Sequence, residues 1–207
     1  YLHTLTIRIW HWINALIVII LLVTGVQLRV PGIDVLPKFS LAVLIHKYAG
    51  FAMAASFLFW LFYVIIEGSF RRHYLLRPAD TRIIGKQTFF YCKGIFKREE
   101  NPFTPTAGGK FNPLQKMAYG SVMLIFTPVI VITGILFSDI FFFRHAIDLL
   151  FGIRVLDALH LLAAYIFLLY LAVHIYMSTL GHNVFAHAKA MIKGYEEEPD
   201  EAHSEGE

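Results

Sequence analysis

The sequence predicts an all-α fold: a transmembrane four-helix up-down bundle with both termini cytoplasmic and one long cytoplasmic loop. Three observations carry that expectation. Of the 207 residues, 57% are hydrophobic, only 16% are charged and nineteen are Phe, a composition outside the range of ordinary soluble domains. Crossing the hydrocarbon core takes about 20 apolar residues, and runs of that length occur four times, at about 9–30, 39–66, 113–137 and 155–180. The stretch from Glu67 to Asn112, between the second and third runs, holds nine of the eighteen Lys and Arg.

The first run, "IWHWINALIVIILLVTGVQLRV", is too long for the apolar core of a signal peptide and lacks a small-residue cleavage site, so it is expected to be a membrane span. About ten residues lead to the second run and about fifteen separate the third from the fourth. The basic middle stretch is assigned to the cytoplasm by the positive-inside rule, which places both termini there and alternates the direction of the four spans. Inside that stretch, Pro78 and the capping candidates Asp80 and Thr81 precede mixed apolar and basic residues, the pattern of a short helix lying in the membrane surface; a solvated basic loop is the alternative. The expected organisation is a membrane domain over 1–197 and an acidic, disordered tail over 198–207, since that tail has nothing to bury.

Ten histidines are present. His3, His73, His145, His182, His187 and His203 fall in loops, termini or span ends, where a solvated imidazole is the default. His11, His46, His160 and His174 lie within spans, where an ionisable group is costly enough to suggest function. Span direction sets their depths. His46 and His160 fall near the outer end of their spans, and His11 and His174 near the cytoplasmic end. His160 and His174 are fourteen residues apart, nearly four helical turns, which places them on one face and about 21 Å apart along the axis. Two pairs at two depths fit two haems, each held by one imidazole from each of two helices.

The interval of fourteen recurs between His11 and Gly25 and between Gly120 and Gly134. A glycine lets a helix come close to a ligand, so Gly25, Gly120 and Gly134 are candidate close approaches to a porphyrin; helix–helix contact is the competing use of glycine in a membrane. A zinc ion held by two histidines alone would be incomplete, whereas two axial imidazoles complete a haem iron and leave no open position for substrate. Cys92 is the single cysteine and no C-x-x-C-H occurs, which excludes covalent c-type attachment. The expected cofactors are therefore two haem b groups, an outer one on His46 and His160 and an inner one on His11 and His174.

The stretches "RIWHWINALIVIILLVTG", "LIHKYAGF" and "GKFNPLQKMAYG", with the His-x13-His of the fourth span, resemble the four-helix dihaem cytochrome b subunits of bacterial membrane-bound oxidoreductases. These include the gamma subunit of formate dehydrogenase and the cytochromes b of nickel-iron hydrogenases and thiosulfate reductases. The resemblance covers about Thr6 to Glu197 and implies the same four ligands. It also implies a quinone contact from Asn112 together with His174; Gln115 lies at the same junction of loop and span and can hydrogen-bond a quinone carbonyl, and menaquinone is the expected quinone. Where some gamma subunits carry Gly two residues after that Asn, this chain carries Leu114. Arg8 and Lys116 lie at the same level and could pair with haem propionates or simply snorkel to the interface.

The function expected from these features is electron transfer in the bacterial inner membrane. It would link a partner on the outer, periplasmic face to a quinone site near the cytoplasmic face, most like a formate dehydrogenase gamma subunit. The substrate chemistry is expected on that partner, an Fe-S subunit with a catalytic subunit or a multihaem c-type cytochrome, because this chain has no Fe-S motif of its own. Lipid surrounds the spans and no nucleic-acid partner is expected. Two alternatives stay open: a stand-alone b-type cytochrome or ferric reductase, and a proton-coupled transporter with a histidine relay, which would want buried acidic residues in the spans.

Overall fold

The computed structural model describes residues 4–68, 78–94, 97, 113–179 and 185–195. Among the described residues the fold is all-α, without strands. Four helices are long and apolar enough to cross a membrane: α1 (Leu5–Arg29), α2 (Phe39–Ile66), α4 (Pro113–Ser138) and α6 (Ile153–Ser178). Among the described residues three shorter α-helices accompany them, α3 (Pro78–Phe89), α5 (Arg144–Leu149) and α7 (Ala186–Lys193), and a π-helical turn over Phe90–Gly94 follows α3. The acidic tail lies outside the described residues.

Helix α1 begins four residues before the apolar run because helix formation does not stop where hydropathy falls. Arg8, in its first turns, donates from Nε to the Met191 carbonyl of α7 at 3.3 Å. The other end stops at Pro31, which forces the preceding Val30 into extended backbone (φ −108°, ψ 108°). Gln27, buried just before this stop, clamps the following turn with both ends of its amide. Its Nε2 donates to the Leu36 carbonyl at 2.9 Å, and the Leu36 N–H donates to its Oε1 at 2.8 Å.

Several polar residues of the spans are buried while many large aliphatic ones are exposed. Thr24, Gln27, Thr127 and Thr133 are buried, whereas Leu16 on α1 is 60% exposed and Leu169 on α6 is 66% exposed. That inversion suits a lipid solvent, which offers no hydrogen bonds and welcomes apolar faces.

Helix α4 departs from a regular span. Val122–Phe126 form a π-helical segment, and its cause is Pro128. A proline inside a helix removes one N–H and clashes with the carbonyl four residues back, and the wider π turn relieves the clash. Thr127 closes the turn by donating both its backbone N–H and its hydroxyl, the latter at 2.8 Å, to the Val122 carbonyl. The segment lies between Gly120 and Gly134, so fourteen residues on α4 do not make the four regular turns they make on α6.

The chain divides into two compact units. The first comprises residues 1–56 and 164–207, and the second residues 57–163. In the first, Trp10 Nε1 donates to the Ser56 carbonyl at 3.0 Å, and the Ser56 hydroxyl donates to Asn14 Oδ1 at 3.0 Å, which ties α1 to α2. In the second, α3 packs against the first turns of α4. Leu136, Ile147 and Leu156 form a buried cluster joining α4, α5 and the start of α6. Helix α5 has six residues, too few for a periodic pattern, and it occupies the stretch that reads as a plain loop in the sequence.

Candidate functional site

All four span histidines are half-buried. Within the first unit, α1 carries His11 and the C-terminal half of α6 carries His174, 163 residues further along the chain. Their rings meet with centroids 6.1 Å apart and planes inclined by 51°. An imidazole nitrogen binds a first-row metal at about 2 Å, so two imidazoles in line on one iron have centroids about 6 Å apart. The separation is the one such coordination requires. Tyr170, one turn before His174, stacks on its ring at 5.8 Å with an 18° tilt, and Trp12 meets His11 edge-on at 5.2 Å.

The other two histidines share a different setting, repeated once in each unit. In the first, the Thr24 hydroxyl lies 2.9 Å from His46 Nδ1. A Cβ added to the adjacent Gly25 would stand 3.4 Å from His46 Cε1. In the second, the Thr133 hydroxyl lies 2.7 Å from His160 Nδ1, and a Cβ on Gly134 would stand 3.5 Å from His160 Cε1. Both glycines therefore clear the edge of a histidine ring. Phe137, one turn beyond Thr133, meets His160 edge-on at 5.6 Å.

Gly120 is buried on α4, Gln115 is half-buried and Lys116 is 6% exposed. Arg8 donates from Nε to the Met191 carbonyl on α7. Asn112 lies outside the described residues. Asp139 and Asp148 are exposed near the α5 turn, and Asp148 faces Arg144 at 4.0 Å.

The donor sets decide what these places can hold. Among the described residues, no three His, Cys, Asp or Glu side chains converge as a metal cluster would need. A pair of imidazoles at a metal-bridging separation fits a haem, whose remaining four ligands belong to the porphyrin. A non-haem ion would lack a third protein ligand.

Residues 2–194 match the family described as prokaryotic cytochrome b561. The chain belongs to that family. A protein of Escherichia coli (strain K12) named "Putative cytochrome YdhU" is 35% identical over 200 residues, covering 94% of this chain and 74% of that protein. As a prokaryotic cytochrome b561, the chain is a multi-pass membrane cytochrome, and the family implies haem b as its bound group.

Residue composition alone did not single out Thr24, Thr133, Tyr170 or Phe137. A signal was available for the two threonines: the dipeptide Thr-Gly occurs at 24–25 in "VTGV" and again at 133–134 in "ITGI". The aromatic neighbours had a weaker one, since Tyr170 precedes His174 by four residues, the interval that stacks side chains on a helix face.

Proposed function

We propose that this b561-type cytochrome is the membrane subunit of a respiratory oxidoreductase complex. It carries electrons through two bis-histidine b haems between a partner subunit on the periplasmic face and a quinone near the cytoplasmic face. The observation that carries this reading is the meeting of His11 and His174 at a ring separation of 6.1 Å. These two would hold the inner haem.

His46 and His160 would hold the outer one. One belongs to each unit, and their pairing rests on their matching depth in the spans and on the hydroxyl–glycine setting that each has separately. A haem with both axial positions filled supplies one-electron transfer and leaves no open coordination site. The chain's own part is to fix the rings, exclude water with its apolar helices, and keep competing ligands away.

The quinone assignment draws on the resemblance of "GKFNPLQKMAYG" to formate dehydrogenase gamma subunits. Asn112, Gln115 and His174 would contact the quinone, with menaquinone as the expected type. Amide side chains both donate and accept hydrogen bonds, which suits quinone carbonyls. The basic middle stretch supports cytoplasmic termini, and residues 1–197 would form a four-helix membrane domain. The partner would bring the substrate chemistry, as an Fe-S subunit with a catalytic subunit or as a multihaem c-type cytochrome.

Alanine substitution of the four histidines one at a time tests the reading. H11A and H174A should each remove the same haem, seen as loss of one component in a redox titration followed optically. Retention of both components in either variant would refute the ligand assignment.

A further inference from the structure

We propose that Thr24 and Thr133 are positioning residues that hold His46 and His160 in the tautomer protonated at Nδ1, the one that binds iron through Nε2. The inference rests on reading these two histidines as axial ligands and deepens it.

The hydrogen count decides the direction of each bond. Thr24 Oγ1 lies 2.7 Å from the Ile20 carbonyl, and Thr133 Oγ1 lies 2.7 Å from the Val129 carbonyl. A carbonyl oxygen can only accept, and a hydroxyl has one hydrogen to give. Each hydroxyl therefore donates back along its own helix and has its lone pairs left for the histidine. The contacts of 2.9 Å to His46 and 2.7 Å to His160 are then bonds in which Nδ1–H donates to the hydroxyl oxygen. A neutral imidazole protonated at Nδ1 carries its free lone pair at Nε2.

The geometry is built twice from the same two residues. Each threonine is followed by the glycine that clears Cε1, the ring atom between the two nitrogens, at 3.4 Å for Gly25 and 3.5 Å for Gly134. Hydroxyl and missing side chain both bear on the rotation and the distance of the ring. Thr24 and Thr133 are 3% and 4% exposed, so water does not compete for these bonds. A partner on the second nitrogen fixes ring orientation and makes the imidazole more basic. Greater basicity favours the ferric state, so the two hydroxyls hold the haem's midpoint potential down.

The test uses the full-length protein in detergent, with T24V, T133V, T24S and T133S read by anaerobic redox titration and by low-temperature EPR of the oxidised haems. Each Val variant, which keeps the shape and loses the hydroxyl, should raise the midpoint potential of one haem, shift its low-spin signal and weaken haem retention about 10- to 100-fold. Each Ser variant should keep the wild-type potential. Val variants with wild-type potential and signal would overturn the proposal, as would Ser variants shifted as far as Val. Where a Val variant loses its haem altogether, retention by the matching Ser variant supports the proposal and loss by both overturns it. H46A and H160A separate the two levels: if both keep their full haem complement, the ligand reading fails first. If they lose haem while the Val variants stay unchanged, only the role of the threonines fails.

Discussion

Replacement of Gly25 or Gly134 by a graded series of side chains probes how closely the two helices pass the histidine rings. An added Cβ would stand 3.4 Å from His46 or 3.5 Å from His160, ordinary contact distances, so Ala fits at both positions. Ala also favours a helix over Gly by about 1 kcal/mol, and G25A and G134A should be at least as stable as the wild type. Val adds two methyl groups beyond that Cβ with its χ1 nearly fixed in a helix, and the ring edge occupies the space. Overpacking of this kind costs about 1–3 kcal/mol. If that cost falls on the bound geometry, haem affinity should drop roughly 5- to 150-fold, since about 1.4 kcal/mol is a factor of ten. The assay is haem per protein by pyridine haemochrome after purification, with the reduced spectrum recorded beside it. Full haem content in G25V and G134V would refute the close-approach argument, and loss of haem already in G25A and G134A would refute the expectation that a Cβ fits beside the rings.

Four further outcomes are expected. H46A and H160A should deplete the same haem as each other and a different one from H11A and H174A, as a redox titration of each variant will reveal. The double variant T24V/T133V should shift a single haem further than either change alone; two separate haems shifting would break the His46–His160 pairing. Q27L removes both bonds to Leu36 and should lower thermal stability by about 1–3 kcal/mol while haem content per folded chain stays at the wild-type level. N112A and Q115A should slow haem reduction by a menaquinol analogue several-fold and leave the dithionite-reduced spectrum unchanged; equal rates would remove these residues from the quinone contact.

Much of the fold is legible in the sequence because hydrocarbon thickness dictates the length of a span and lipid dictates its composition. The four apolar runs therefore lie within a few residues of α1, α2, α4 and α6. What hydropathy does not see is backbone detail. The π segment at Val122–Phe126 answers a steric demand of Pro128, and α5 is too short to leave a period. The span histidines stand out because a titratable ring in lipid is expensive. Thr24 and Thr133 do not, because a threonine in a membrane helix ordinarily satisfies itself on the carbonyl one turn back, as both do here. Only tertiary contact distinguishes a threonine that also faces a histidine, and the recurring Thr-Gly pair was its one trace in the chain.

Haem stoichiometry and spin state in the purified full-length protein test the central claim most directly. Two haem b per chain, both low-spin in the oxidised and reduced forms and neither binding carbon monoxide, is the predicted result. A single haem per chain, or a high-spin haem that takes up carbon monoxide, would contradict it.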